Sequence, residues 1–392
     1  MDSQAQNGGR GMKSWPRVPL GQVLRHRKEF IQIDDTQRYK RCRVQLHAKG
    51  VVLRDLVPGT DIKTKRQQVC QGGEFLVAEI DAKVGGFGLV PEELDGAIVS
   101  SHYFLFEIDE SRISRGFLDQ YCRTRGFREQ VEAQGTTNYA AIRPADVLGY
   151  SVPLPPLAEQ ISIVARLNTL AYKARQVTDN LDAIEANADA LLRAFVFHPT
   201  GEQVAMRKMS ELITQRQPDV VVDRLQEYPF AGVYSFGRGV FPSTIRVGSE
   251  FVYDRLSTLR TGDFTYPKLM AWEGALGIVP PECDGRVVSP EFPVFSIDCE
   301  RVLPEVLDIY FRTPTVWPDL AEISGGTNMR RRRLQPSTFM NYEMPIPSMP
   351  TQRKIQKLYK YTQALKAQHA LTRAANTALV PAMLHRVFSA AA

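Results

Sequence analysis

From Trp15 to about Tyr150 the apolar residues come in short alternating runs, broken by Gly, Pro and Asp. Residues 42–46, 51–53, 75–80 and 103–108 read this way, the period-two signature of strands with one buried face. The stretch 114–133 has helical spacing, through Phe117, Leu118, Tyr121 and Cys122. The pattern then changes. Val152-Pro-Leu-Pro-Pro-Leu157 is a stiff extended lead-in, because proline fixes φ and pushes the residue before it out of the helical region. Behind it Ile163, Leu167, Leu170, Ala174, Val177, Leu181, Ile184, Ala188, Leu191 and Phe195 alternate steps of four and three. A period of about 3.5 residues predicts a coiled-coil seam, and about 37 helical residues span roughly 55 Å. Glu159 favours the helix N-terminal dipole, and Pro199-Thr-Gly201 ends the run.

The whole pattern then starts again. Shifted by 189 residues, Tyr39 falls on Tyr228 and Gly50-Val51 on Gly239-Val240. Ala82-x-x-Gly85-x-x-Gly88-x-Val90-Pro91 falls on Ala271-x-x-Gly274-x-x-Gly277-x-Val279-Pro280, and Asp95-Gly96 on Asp284-Gly285. Tyr121-x-Arg123-Thr124 lands on Tyr310-x-Arg312-Thr313. A unit this long is a duplicated domain, since solenoid repeats run to roughly 20–50 residues. Past Asn138 the offset slips to 192, so the second copy carries an insertion at residues 328–333. Met344-Pro-Ile-Pro-Ser348 then leads into a second long helix. Its seam of Leu358, Leu365, Leu379 and Met383 is interrupted by Thr372 and Asn376, and Pro381 is expected to break or kink it.

The fold predicted is α+β: two tandem domains, each followed by a long helix, the helices forming an antiparallel coiled coil with pseudo-two-fold symmetry. The segments are a flexible tail (1–12), the first domain (13–156), helix one (157–198), a linker (199–206), the second domain (207–347) and helix two (348–392).

Composition narrows the function classes. The chain is mildly basic, with a net charge of +6 over 392 residues, which is compatible with a polyanionic partner. Five cysteines without C-x-x-C spacing and six scattered histidines form no zinc-ligand pattern, and a reducing, cytoplasmic compartment is expected. No uncharged apolar run reaches the roughly 18 residues that span a bilayer. The Gly-rich Gly85-Gly-Phe-Gly88 lacks the strand–loop–helix context of a nucleotide site, and there is no P-loop lysine, H-E-x-x-H or nucleophile elbow.

The basic residues say more. Lys49/Arg238, Arg66/Arg255, Arg112/Arg301 and Arg123/Arg312 are basic in both copies, as phosphate contacts would be; surface ion pairing is the bland alternative. Elsewhere the copies differ in kind. Lys63 and Lys65 become Val252 and Asp254, Lys83 becomes Trp272, and Ala97 becomes Arg286. The stretch holding Asn138, Tyr139 and Arg143 becomes one holding Asn328, Arg330, Arg331, Arg332 and Arg333. Two readers of two base sequences need such differences, and neutral drift is the rival at any single pair. The candidate interface residues on the helices are Leu167, Leu170, Val177, Leu181, Ile184, Leu191, Leu358, Leu365 and Leu379.

One family matches this organisation. Gln134-Gly-Thr-Thr-Asn138 followed by Val152-Pro-Leu-Pro-Pro-Leu-Ala-Glu-Gln160-Ile-x-Ile-Val164, with Gly325-Gly-Thr-Asn328, Met344-Pro-Ile-Pro-Ser348 and Gln352-x-x-Ile355 in the second copy, resembles the specificity subunit of a type I restriction–modification enzyme. The resemblance covers nearly the whole chain. It implies two target-recognition domains that each read one half of a split site in double-stranded DNA. It also implies helices that hold them apart and dock two modification (methyltransferase) subunits, with restriction (translocase/nuclease) subunits completing the complex. The chain itself would be non-catalytic, without cofactor or metal. S-adenosylmethionine, ATP and Mg would serve the partner subunits. A two-domain protein-binding scaffold without a DNA role is the alternative from another class.

Overall fold

The structure, a computed structural model, describes residues 15–132, 141–326 and 332–389. The first copy opens with β1 (Arg17–Pro19), β2 (Leu24–Arg27), β3 (Phe30–Gln32), β4 (Arg38–Gln45) and β5 (Gly50–Pro58). It continues with β6 (Arg66–Val69), β7 (Phe75–Ala78), β8 (Phe87–Leu89), β9 (Ile98–Val99) and β10 (Tyr103–Ile108). The helices α1 (Arg115–Cys122), α2 (Arg125–Glu132) and α3 (Pro144–Gly149) follow, then β11 (Ser151–Pro153) and the long α4 (Leu157–Phe197).

The second copy repeats the series with β12 (Ala205–Lys208), β13 (Ile213–Gln215), β14 (Val220–Val221), β15 (Glu227–Tyr234) and β16 (Gly239–Val247). Next come β17 (Arg255–Thr258), β18 (Phe264–Thr265), β19 (Gly277–Ile278), β20 (Val287–Val288) and β21 (Val294–Ile297). It ends with α5 (Pro304–Phe311), α6 (Trp317–Ile323), α7 (Pro336–Phe339), β22 (Glu343–Ile346) and the long α8 (Met349–Ser389).

The sequence repeat is a repeat of topology. Sheets ordered β2-β10-β7-β8 and β3-β6-β9-β4-β5 in the first copy become β13-β21-β18-β19 and β14-β17-β20-β15-β16 in the second. The ribbons β1–β11 and β12–β22 correspond as well. Even the irregularities match: β4–β5 shifts register between Arg41 and Cys42, and β15–β16 between Pro229 and Ala231. The repeated glycines explain themselves. A Cβ on Gly88 would lie 2.7 Å from the Gly50 Cα, and one on Gly277 would lie 3.2 Å from that of Gly239, so both pack a hairpin strand against the neighbouring sheet.

Each copy also buries one ion pair in the same place. Arg27 meets Glu74 with 9% and 4% of their side chains exposed, and Arg216 meets Asp263 189 residues later. Charges this dry persist only when paired and hydrogen-bonded. Arg216 accordingly also donates to Thr258 O at 3.0 Å, and Glu74 accepts the Gln71 N–H at 2.7 Å.

The chain divides into two compact units, Met1–Thr178 with Thr372–Ala392, and Asp179–Leu371. Each takes one copy and part of both long helices. In the first, Phe75, Phe87, Phe106, Phe117 and Phe127 pack with Leu167 of α4 and Phe388 of α8. In the second, Phe264, Phe295, Phe311 and Phe339 pack with Leu192 and Val196 of α4 and Ile355 of α8.

The long helices depart from the sequence reading in two ways. Of the predicted seam, Leu167 is buried and Leu170, Leu181, Leu358 and Leu365 are half-buried. Val177, Ile184, Leu191 and Leu379 are 39%, 46%, 51% and 45% exposed. The shielded stripe of α4 instead follows 163, 167, 170, 174, 178, 181, 185, 188, 192 and 196, which returns to the same face every 11 residues. Eleven residues over three turns is about 3.67 per turn, close to an unstrained helix, whereas a seven-residue seam drifts by about 20° per repeat. Polar side chains therefore land on the shielded face and find polar partners on α8. Within the second unit Lys366 Nζ donates to Asp189 Oδ1 at 2.7 Å, and His369 Nδ1 lies 2.8 Å from Glu185 Oε1. Within the first, Asn376 Nδ2 donates to Ala174 O at 2.6 Å and Thr178 Oγ1 at 3.2 Å.

Secondly, α8 does not stop near Pro381 but runs through it to Ser389. The proline removes one backbone donor, yet Met383, Leu384, Val387 and Phe388 beyond it are held by the first unit's core. Packing outweighs the local cost of about 3 kcal/mol.

Candidate nucleic-acid interface

The basic residues common to both copies separate into two kinds. Arg112 Nη1 donates to Gln22 O at 2.6 Å, and Arg301 Nη1 donates to Glu211 O at 3.0 Å. Arg123 pairs with Asp119, and Arg312 with Asp308, each at 2.8 Å. These guanidinium groups brace the scaffold. Arg312 shows how firmly: burial works against its charge, but Asp308 and Tyr359 together hold its pKa above the ordinary value. The Tyr359 hydroxyl donates to Asp308 Oδ2 at 2.6 Å, and burial, reinforced by that carboxylate, pushes its own pKa up.

Lys49 and Arg238 are different. Both stand exposed in the turns that join β4 to β5 and β15 to β16. Arg238 lies 4.6 Å over the Tyr234 ring, which stacks on Phe241 with centroids 3.7 Å apart and planes 13° from parallel. A cation on a stacked aromatic pair is pre-oriented for a phosphate or a base face. Arg66 lies 4.3 Å over Phe30, and Arg255, its counterpart, is exposed.

The positions where the copies differ are more varied. Lys63 lines a hollow of about 360 Å³ with Arg41, Arg54 and Gln67. Lys65 turns inward, donating to Gly59 O at 2.9 Å and pairing with Asp35. Lys83 and Trp272 are half-buried, and the Trp272 indole N–H is enclosed without an acceptor among the described residues. Arg286 donates to Phe230 O at 3.1 Å and Ser243 O at 3.3 Å, so it clamps the irregular part of the β15–β16 hairpin. Arg143 is exposed at the start of α3.

Asn138, Tyr139, Asn328, Arg330 and Arg331 lie outside the described residues. The rest of the arginine run is anchored. Arg332 Nη1 donates to Ala321 O at 3.3 Å, and Arg333 pairs with Glu291 at 2.5 Å. A backbone bridge from Arg333 N to Gly325 O, 2.8 Å, pins the base of this segment.

Among the described residues no cluster of His, Cys, Asp or Glu could hold a metal ion, and no helix is long and apolar enough to cross a membrane. All five cysteines are free.

No family model matches the chain, and no curated protein matches it. Solved structures do. A chain from a study of complex assembly and conformational transition of the type I R-M system superposes with a TM-score of 0.64 at 20% identity, over 96% of this chain and 97% of that one. The HsdS subunit from Thermoanaerobacter tengcongensis superposes at 0.55 and 18% identity, over 99% and 100%. The fold is that of a type I restriction–modification S subunit.

Within this S-subunit fold the proline-led strings acquire a physical meaning. Gln160, fully buried, accepts the Ser114 N–H at 2.8 Å and donates to Arg112 O and Pro155 O at 2.9 Å. Gln352 does the same with the Leu303 N–H at 2.8 Å, Arg301 O at 3.0 Å and Pro347 O at 2.9 Å. One glutamine in each copy thus ties the first turn of a long helix to the loop that begins the domain's own helices. Sequence reading missed a groove in the first unit of this chain, lined by Arg17, His47, Arg125, Arg128 and His385. Its members are scattered along the chain, and the one signal available was the replacement of Arg17, His47, Arg125 and Arg128 by uncharged residues in the second copy.

Proposed function

We propose that this chain is the non-catalytic DNA-specificity subunit of a type I restriction–modification complex. The observation that carries the reading is one domain topology repeated twice along nearly the whole length of an S-subunit fold, with unlike side chains at equivalent exposed positions. Each copy reads one half of a bipartite, asymmetric target in double-stranded DNA, the hairpin turns at Lys49 and Arg238 meeting phosphate or base. The two long helices pair as an antiparallel coiled coil through their shielded stripes and set the spacing between half-sites. Val177, Ile184 and Leu191, seven residues apart and open to solvent, suit the docking of modification subunits. S-adenosylmethionine, ATP and Mg serve those partners and the restriction subunits.

The test is co-expression with a candidate modification subunit, followed by mapping of methylated adenines on host DNA. A motif in two parts separated by a fixed spacer is expected. Absence of any new methylation, together with salt-insensitive retention of a protein partner, would turn the reading toward a protein-binding scaffold.

A further inference from the structure

The first unit holds a groove of about 760 Å³ with a cationic lining. Arg17 of β1, Lys49 of the β4–β5 turn, and Arg123, Arg125 and Arg128 of the α1–α2 corner face it. Against these five cations stands one lining carboxylate, Glu129, which leaves four positive charges before His47 and His385 are counted. The apolar part of the wall includes Pro381, Leu384, Phe388 and the ring of Tyr121.

Internal partners account for only part of this charge. Arg123 pairs with Asp119 at 2.8 Å and Arg125 with Glu129 at 2.6 Å. Arg17 has neutral partners, Tyr121 Oη at 2.8 Å and Ser151 Oγ at 3.0 Å. Arg128 is the informative one. Its Nε–H is enclosed by protein and has no acceptor among the described residues. A buried charged donor without an acceptor is costly, and among the described residues no carboxylate pairs with this guanidinium, whose charge is left to the groove it lines.

The second copy shows the same place relieved of that demand. Arg17, His47, Arg125 and Arg128 correspond, at 189 residues' distance, to Met206, Phe236, Pro314 and Trp317. Trp317 donates its indole N–H to Phe311 O at 2.9 Å, and its ring lies 6.2 Å from that of Phe236. Tyr121, Arg123 and Lys49 persist as Tyr310, Arg312 and Arg238, so the framework is kept and the cations lost are those of Arg17, Arg125 and Arg128.

We propose that the groove is a binding site for a phosphate-bearing anion, present in the first unit and absent from the second. Guanidinium groups match phosphate oxygens in pairs, and the aromatic wall suits an attached sugar or base. The phosphate has two possible sources, a free pyrophosphate or nucleotide and the backbone of duplex DNA. The duplex source rests on the function proposed above; the free anion does not.

The full chain is titrated by calorimetry with inorganic pyrophosphate, and separately with a short duplex of arbitrary sequence. Changing Arg128→Ala together with Lys49→Ala is expected to weaken binding roughly tenfold or more, the scale of one lost charge-assisted hydrogen bond. Arg128→Lys recovers part of the loss, and Met206→Ala, at the equivalent place in the second copy, changes nothing. Tight pyrophosphate binding that the duplex does not displace assigns the free anion. Loss of duplex affinity with weak pyrophosphate binding assigns the DNA backbone. Arg125→Ala alone, at an exposed position that the hairpin turns do not include, serves as the readout if the double variant does not fold. Variants that bind both probes as the parent does, or a parent that binds neither, overturn the proposal.

Discussion

The corner after α1 in the first copy and the corner after α5 in the second start from the same backbone plan and end with opposite chemistry. One presents Arg125 and Arg128 to a groove, and the other fills the place with Pro314 and Trp317. A few residues away the copies hardly differ. Each has a buried Arg–carboxylate pair, a glutamine that fastens the long helix, and an Arg–Asp pair at the end of a helix. Interiors resist change because a lost partner strands a buried polar group. Surfaces are free to diverge, so duplication gave one scaffold and two faces. Positions that match report on folding, and exposed positions that differ are where specificity can reside.

The comparison can be broken at its buried end first. Glu74→Ala and Asp263→Ala each remove an arginine's buried carboxylate, leaving Arg27 with Glu29 and Arg216 with Asp219, and are expected to cost about 3 kcal/mol, read from urea unfolding. A small loss at either site would mean that the two pairs are not equivalent. Next come Gln160→Ala and Gln352→Ala, each of which strands one N–H and two carbonyls, at about 2–3 kcal/mol. Their effects should agree with each other, because the partners agree atom for atom.

Where the copies differ most, changing residues 330–333 together to Ala is expected to leave the fold near its parent stability. Methylation mapping is expected to show recognition weakened only at the half-site read by the second copy. Equal weakening of both half-sites would count against that loop as a reader.

The smallest expected effect is a pH response confined to the second copy. Glu202 accepts the Ser348 hydroxyl at 2.7 Å, the Ser348 N–H at 2.9 Å and the Thr351 hydroxyl at 3.0 Å. These bonds, the Ser348 hydroxyl foremost, hold its carboxyl below the usual range. A lowered folded-state pKa stabilises the protein above the ordinary carboxylate pKa and loses that contribution as acid protonates the group. Glu202→Gln is therefore expected to flatten the fall in Tm on acidification while leaving the value at neutral pH slightly lower.

Much of the architecture was legible because it is written twice. Alternation marked the strands, the proline strings marked both helix starts, and the 189-residue offset paired the copies. What escaped depended on contacts between distant residues. Arg27 and Glu74 are 47 positions apart with nothing between them to announce a pair. The arginines of the candidate interface looked alike in sequence, yet Arg286 and Arg332 reach back to carbonyls of other elements while Arg238 stays on its own turn, over the Tyr234 ring. The seam was misjudged for a different reason. Val177, Ile184 and Leu191 keep a seven-residue spacing that the eye reads as buried, but the helix follows its natural pitch and turns them to solvent.

The division of the chain into units has a consequence for its synthesis. The first unit draws on both flanks of the second, since Trp15 and Phe388 meet with ring centroids 6.3 Å apart. A ribosome therefore makes every residue of the second unit before it makes the aromatic that closes the first. The contacts of Phe117 and Tyr121 with Phe388 form only after the second unit has been made. Truncation near Pro381 would leave the second unit whole and the first unit unsealed, which makes the far end of α8 a checkpoint on the folding of the near end of the chain.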